Sequence, residues 1–343
     1  MLTDKDVALL REELATAQNP LFFYDGDGDG LSSFLLLYRM HREGKGLALT
    51  MTSKLDVEAL RKVQELEPDK IFVLDVPIIS QEFLDQVKRP VFWIDHHPPL
   101  KRTKVKYFNP RLENPDAYVP TSRMCWQVSQ RDEDRWIAIL GNLADYYLPE
   151  YLDQFIEQYP QYLDKAYDLP TILYKKPLGK LVKLLFFIQK GPTSEVRKSV
   201  KILTRIKSPD EIFQQTTAQG KFLYRRFVKI DEMYEELLEE AKKAVTKEHF
   251  ILFFYTEKKW SFTANLSNEL FGLYPKKMII IARRKSGEVK CSLRGKNVLT
   301  YLQKALEGVE GHGGGHPDAC GAVIKEKDWE KFLEQFKREM NNV

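Results

Sequence analysis

The sequence is poor in cysteine: Cys125, Cys291 and Cys320 are the only three among 343 residues. An odd number without Cys-x-x-Cys spacing excludes a disulfide framework and a thiolate zinc site, and a reducing cytoplasm is expected. Long apolar runs are missing too. Stretches such as Phe34-Leu35-Leu36-Leu37 and Met278-Ile279-Ile280-Ile281-Ala282 fall far short of the ~18–20 residues a membrane helix needs. No membrane span is expected. The opening Met1-Leu2-Thr3-Asp4-Lys5-Asp6 brings acids early and leads into an amphipathic segment, so no secretory signal is expected either. Surplus charge is scarce, because 53 Lys and Arg against 49 Asp and Glu leave +4. That is too little for a protein that coats duplex DNA, whereas a polyanion gripped in one local cleft is compatible with it. The sequence shows no internal repeat, low-complexity tract or Gly/Ser/Pro-rich linker.

What is present points to a globular chain. Hydrophobic residues make up 43%, enough to build cores, and the length predicts two domains at ~150 residues each. A helix is predicted over residues 4–17 from Val7, Leu10 and Leu14 at helical spacing. Short apolar runs then read as buried strands at Leu21–Tyr24, Leu47–Met51, Ile71–Leu74 and Val91–Ile94. Helical patterns at Leu31–Arg42, Val57–Leu66 and Gln81–Val87 separate them, which argues for βαβ units and a parallel sheet. Three of these strands run into an aspartate: Asp25, Asp75 and Asp95. Ligands of open parallel sheets bind at the carboxyl ends of the strands, so these acids are expected to converge. From about residue 132 to 245 the pattern is helical, with candidates at Asp132–Leu143, Pro177–Gln189 and Val196–Ile206. The long stretch Gly220–Val245 puts Leu223, Phe227, Ile230, Tyr234 and Leu237 on one face and reads as a connecting helix. Strand signals return at Phe250–Tyr255, Met278–Ala282 and Glu288–Leu293, marking a second α/β domain.

Four segments carry chemistry. In the first, Asp25-Gly26-Asp27-Gly28-Asp29-Gly30 follows an apolar strand directly, and its glycines tolerate a tight loop. An EF-hand would need a bidentate Glu at the twelfth position, which is Leu36 here, and a helix rather than a strand before it. The second is Asp95-His96-His97, where adjacent imidazoles project differently, one toward a metal and one toward a substrate. The chain has only six histidines, and four of them (His96, His97, His312 and His316) fall in two short segments. The third, Leu140-Gly141-Asn142-Leu143-Ala144-Asp145, ends a helical pattern on an acid. The fourth is Gly311-His312-Gly313-Gly314-Gly315-His316, whose glycines are expected to form a backbone nest for phosphate. The preceding strand alternates Val289, Cys291 and Leu293 with Lys290, Ser292 and Arg294, and Arg294 can hold phosphate oxygens bidentately.

In this order the segments resemble the DHH phosphoesterase superfamily, in the branch with the DHH-associated C-terminal domain, and RecJ-like exonucleases of archaeal type in particular. The Asp-x-Asp-x-Asp-Gly loop, Asp75, Asp95-His96-His97 and Asp145 look like the four core motifs of the superfamily. Ser292-Leu293-Arg294-Gly295 and Gly313-Gly314-Gly315-His316 look like the signature of the associated domain. The resemblance implies an α/β fold with a parallel-sheet DHH domain (1–190), a helical connector (191–245) and a smaller α/β substrate-binding domain (246–343), the active site lying in the cleft between domains. It implies that Asp27, Asp29, Asp75, His96 and Asp145 hold two divalent ions, with Asp75 bridging them. His97 would contact the scissile phosphate, while Arg294, His316, Gly314 and Gly315 would hold substrate. Many relatives carry a histidine four residues before Asp27, where this sequence has Phe23, and Asp25 would ligate or hydrogen-bond in its place. Four carboxylates balance two divalent cations, and oxygen donors with one imidazole suit manganese or magnesium better than zinc or copper.

The implied activity is metal-dependent hydrolysis of single-stranded DNA or RNA from an end, with a helicase or a replication or repair complex as protein partner. The alternatives are a hydrolase of nano-oligoribonucleotides, cyclic dinucleotides or phosphoadenosine phosphate, and a non-catalytic replication scaffold.

Overall fold

A computed structural model of the chain describes residues 1–49, 54–256 and 259–341. The chain divides into two compact units, Met1–Phe227 and Val228–Val343.

The first unit opens with helix α1 (Asp4–Ala15), started by a capping box in which Thr3 and Asp6 satisfy each other's main-chain N–H groups. Strand β1 (Leu21–Asp25) and helix α2 (Gly28–His41) follow, then β2 (Lys45–Leu49), β3 (Ile71–Leu74), β4 (Val91–Ile94) and β5 (Lys106–Phe108). These strands form one parallel sheet in the order β2-β1-β3-β4-β5. The predicted strands thus recur with small shifts; of the predicted Leu47–Met51, residues 50 and 51 lie outside the described residues. Predicted Val57–Leu66 appears as a 3-10 turn (Val57–Ala59) continued by Leu60–Leu66, and predicted Gln81–Val87 as Gln81–Gln86. Strands β1, β3 and β4 are buried at almost every position, which is why they read as unbroken apolar runs rather than alternating ones. Leu21, Phe23, Val73 and Trp93 fill the core on one face.

Helices α3 (Thr121–Ser129), α4 (Arg135–Ala144), α5 (Pro177–Phe187) and α6 (Thr193–Leu203) follow, with shorter helices at Leu152–Gln158, Leu169–Lys175 and Pro209–Phe213. The contact of α2 with α4 is close: a Cβ on Gly141 would come within 2.5 Å of the Ser32 Cβ. Helix α7 (Ala218–Lys243) begins in the first unit and ends in the second, and its predicted face of Leu223, Phe227, Ile230, Tyr234 and Leu237 is buried.

The second unit contains β6 (Phe250–Tyr255), α8 (Thr263–Leu273), β7 (Met278–Lys285), β8 (Glu288–Arg294), α9 (Val298–Ala305), β9 (Gly311–His316), β10 (Ala319–Lys325) and α10 (Trp329–Asn341). Its strands make a separate mixed sheet in the order β9-β10-β8-β7-β6, antiparallel except for the β6–β7 pair. Val289, Cys291 and Leu293 enter the core and Lys290 is exposed, as the alternation predicts. One expectation is corrected here. The glycine run at 311–315 is not a nest but part of the exposed edge strand β9, because its main chain pairs in register with β10.

Candidate metal centre

Parallel pairing in register sets Tyr24 beside Leu74, and Leu74 beside Ile94. The next residues, Asp25, Asp75 and Asp95, therefore emerge from one sheet edge on three adjacent strands, which is the predicted convergence. The Asp25–Gly30 loop then turns into α2. Asp27 caps that helix, its Oδ1 accepting from the Gly30 N–H at 2.9 Å. A Cβ on Gly30 would sit 2.4 Å from the Asp25 carbonyl oxygen, so the loop closes this tightly only with glycine there.

Asp29 is the most firmly held of the loop acids. It is 1% exposed, and its two carboxylate oxygens accept the N–H groups of Thr121 (2.8 Å) and Ser122 (2.9 Å) at the start of α3. Helix N-termini favour negative charge, so this contact fixes the acid in place. Asp75 takes the left-handed conformation at φ 62°, costly for a residue with a Cβ. Its carboxylate accepts from the Thr121 hydroxyl at 3.1 Å. Asp145 ends α4, and the Tyr118 hydroxyl donates to its Oδ2 at 2.9 Å.

These acids meet at His96. Its Nε2 lies 3.4 Å from Asp75 Oδ1 and 3.6 Å from Asp145 Oδ2. Such gaps are long for hydrogen bonds and match the edge between two ligands that each sit ~2.1 Å from a shared cation. Among the described residues, donor atoms of Asp29, His96 and Asp145 lie within 4.8 Å of one another, as do those of Asp75, His96 and His97. Burial, followed by the charges of neighbouring acids, raises the carboxyls of Asp75 and Asp145 well above the usual carboxylate range. Burial and the charge of Asp27 push Asp29 up to about 7 despite its amide contacts. A pocket that resists its own ionisation in this way is suited to a cation, and carboxylates with imidazole are the donors that manganese and magnesium accept.

His97 is held differently. Its Nδ1 lies 2.7 Å from Oδ1 of the buried Asp95, and its main-chain N–H donates to Asp95 Oδ2 at 3.2 Å. Asp95 also accepts from the Tyr107 hydroxyl at 3.2 Å. Burial opposes charge on His97, but the hydrogen bond and charge of Asp95 prevail and raise its pKa. Phe23, at the departure from the family pattern, packs in the core against Phe83.

Sequence reasoning missed the supports: Thr121, Ser122 and Tyr118, and the use of Asp95 to orient His97. Helix α3 was not predicted, although Pro120-Thr121-Ser122 is a helix-start signal. In the second unit, Arg294 and His316 both align with Ala319 of β10, so they share one row of the sheet two strands apart. Arg294 Nε donates to Asn268 Oδ1 at 2.6 Å. Gly314, Gly315 and His316 are exposed on β9.

The DHH family N-terminal domain model matches residues 22–149, and the DHHA1 domain model matches residues 248–342. The chain belongs to the DHH superfamily. No curated protein matches it. Among solved structures it is similar to RecJ from Thermus thermophilus in complex with Mn2+, at 14% identity and a TM-score of 0.72, over all of this chain and 56% of that one. The DHH chain thus spans little more than half the length of that relative. It is also similar to an exonuclease RecJ bound to manganese, at 14% identity and a TM-score of 0.66, covering 100% of this chain and 96% of that one. A third likeness is to a pGpG-specific phosphodiesterase, PggH, from Vibrio, at 14% identity and a TM-score of 0.53 over 95% and 99% of the two chains. At such identities the likeness is one of fold.

Proposed function

We propose that this chain is a manganese-dependent phosphodiesterase that removes nucleotides from an end of single-stranded DNA or RNA, in the 3′→5′ direction. The observation that carries the reading is the buried acid set around His96, whose donor atoms lie within 4.8 Å in two overlapping groups. Asp27, Asp29, Asp75, His96 and Asp145 would hold two divalent ions, with Asp75 common to both. Bound there, such ions would supply a hydroxide at neutral pH and stabilise charge on the attacking and leaving oxygens. Asp95 orients the His97 ring through Nδ1, which leaves Nε2 to meet the scissile phosphate. Asp25, whose Oδ1 accepts the Gly26 N–H at 2.8 Å, would ligate or hydrogen-bond where many relatives carry a histidine. Arg294 and His316, aligned in one row, would hold a phosphate farther along the strand, beside Gly314 and Gly315.

A time course on end-labelled single strands of graded length, with metal-stripped protein and added Mn2+, tests this reading. The expected result is a ladder shortening from the 3′ end, with no cleavage in chelator. Cleavage that persists in chelator, or no cleavage with manganese, overturns it. A second reading, a hydrolase of dinucleotides, is favoured by the likeness to the pGpG-specific enzyme. It predicts efficiency that collapses beyond a few nucleotides.

A further inference from the structure

Two clefts in the first unit lie outside the metal centre, and one of them is lined by a residue bonded to the Asp25–Gly30 loop. One, of about 550 Å³, runs along the sheet-edge strand β2 and is lined by Lys45, Lys62, Arg197 and Lys201, with Tyr24, Phe34 and Tyr38 supplying aromatic wall. The other, of about 610 Å³, contains Arg42, Arg131, Arg205 and Lys207. Tyr38 and Thr204 line both, so the clefts share a wall. Their joint lining holds a single carboxylate, Glu133, which is already paired with Arg131. Among the described residues, Arg42, Lys45, Arg197, Lys201, Arg205 and Lys207 have no ion-pair partner. In a chain whose net charge is only +4, this is a concentrated cationic track.

The first cleft borders the loop that carries Asp27. Gln189 lines the first cleft, and its Nε2 donates to the main-chain oxygen of Asp27 at 2.6 Å, while Tyr24 directly precedes Asp25. We infer that these adjoining clefts bind the sugar-phosphate backbone of a single nucleic-acid strand at nucleotides beyond the one being cleaved. The inference rests on the proposed exonuclease reading and adds to it a path for the strand within the first unit. Unpaired cations without carboxylate competition suit phosphate diesters. Two adjoining clefts, each large enough for a small ligand, exceed what one nucleotide fills.

The test compares a 12-nucleotide single strand with a dinucleotide, in wild type and in an Arg197→Gln/Lys201→Gln double variant. The quantity read is the ratio of kcat/KM on the long substrate to that on the short one. Each lost phosphate contact on a single strand lowers the salt exponent by ~0.7, so the ratio is expected to fall roughly twentyfold at ~0.1 M salt. The dependence on log salt flattens by ~1.4 at the same time. Lys88→Gln/Arg89→Gln removes equal charge at exposed positions elsewhere and is expected to keep the wild-type ratio.

An unchanged ratio in the Arg197/Lys201 variant overturns the track and turns attention to an acidic protein partner, while wild-type cleavage of the 12-mer keeps the exonuclease reading intact. Equal losses on both substrates also overturn it, in favour of a pocket for one small nucleotide. Wild type that cleaves neither substrate defeats the exonuclease reading itself.

Discussion

Asp95 and Asp75 leave the same sheet edge from adjacent strands but serve different ends. Asp95 is buried and spends its oxygens on His97, Tyr107 and Asn109. In the proposed reaction it would be a positioning residue, and partners of this kind typically cost 10–100-fold when lost. Asp95→Asn is expected to lower kcat within that range while bound manganese, measured by elemental analysis, stays at the wild-type level. Manganese loss equal to the activity loss would make Asp95 a ligand instead. Asp75 faces His96 Nε2 at 3.4 Å, so Asp75→Ala removes a donor rather than its support. Activity should drop more than ~100-fold, beyond the outer-partner range, and calorimetric titration should show weaker manganese uptake. Near-normal uptake would remove Asp75 from the ligand set.

Helix packing decides where these acids end up. Asp29 rides on the first turn of α2, and the N-terminus of α3 receives it; both helices pack with α4. Gly141 sets the spacing, since a Cβ there would lie 2.5 Å from the Ser32 Cβ and 2.7 Å from the Ser122 Oγ. Both obstructing groups are buried and short, so neither can swing away. Gly141→Ala gains ~1 kcal/mol of helix propensity but overpacks the contact by roughly 1–3 kcal/mol. With neighbours that cannot yield, the overpacking cost lies at its upper end, so the expected outcome is a net loss of about 2 kcal/mol in a denaturant melt, with weaker manganese binding because Ser122 holds Asp29. A variant as stable as wild type would mean that α2 and α4 have slack.

For the molecule as a whole, the acid cluster ties stability to pH and metal. In the native chain Asp29 titrates at about 7, against 3.8 in a free carboxyl. Between these values the native state carries more protons than the unfolded state, so unfolding releases protons and stability falls as pH rises. The metal-free chain should therefore melt at progressively lower temperature from about pH 4 to about pH 7, by several degrees. Manganese replaces the protons as counter-charge, so the melting shift it produces should grow over the same interval. Differential scanning fluorimetry with and without chelator measures both trends. A manganese shift that shrinks as pH rises would contradict this coupling.

Much of this protein could be read directly from its sequence. Strands Ile71–Leu74 and Val91–Ile94 coincide with their apolar runs, because burial on both faces leaves an unbroken apolar signal. The strand-end aspartates, the two histidines and the Asp-Gly loop are local in the chain, and a parallel sheet has one chemical edge where they can meet. Three things were decided only by tertiary structure. Helix α3, with its short polar start, becomes the cradle of Asp29 through contacts more than 90 residues apart in sequence. Glycines 311–315 form a strand because β10 offers them an antiparallel partner, whereas composition alone pointed to a phosphate nest. The cationic track brings Arg42 and Lys45 to Arg197, Lys201, Arg205 and Lys207, more than 150 residues later in the chain, and only packing gathers these unpaired cations. Local sequence specifies strands and loops through short-range burial and backbone preference, but charge that gathers across distant segments exists only once the chain has folded.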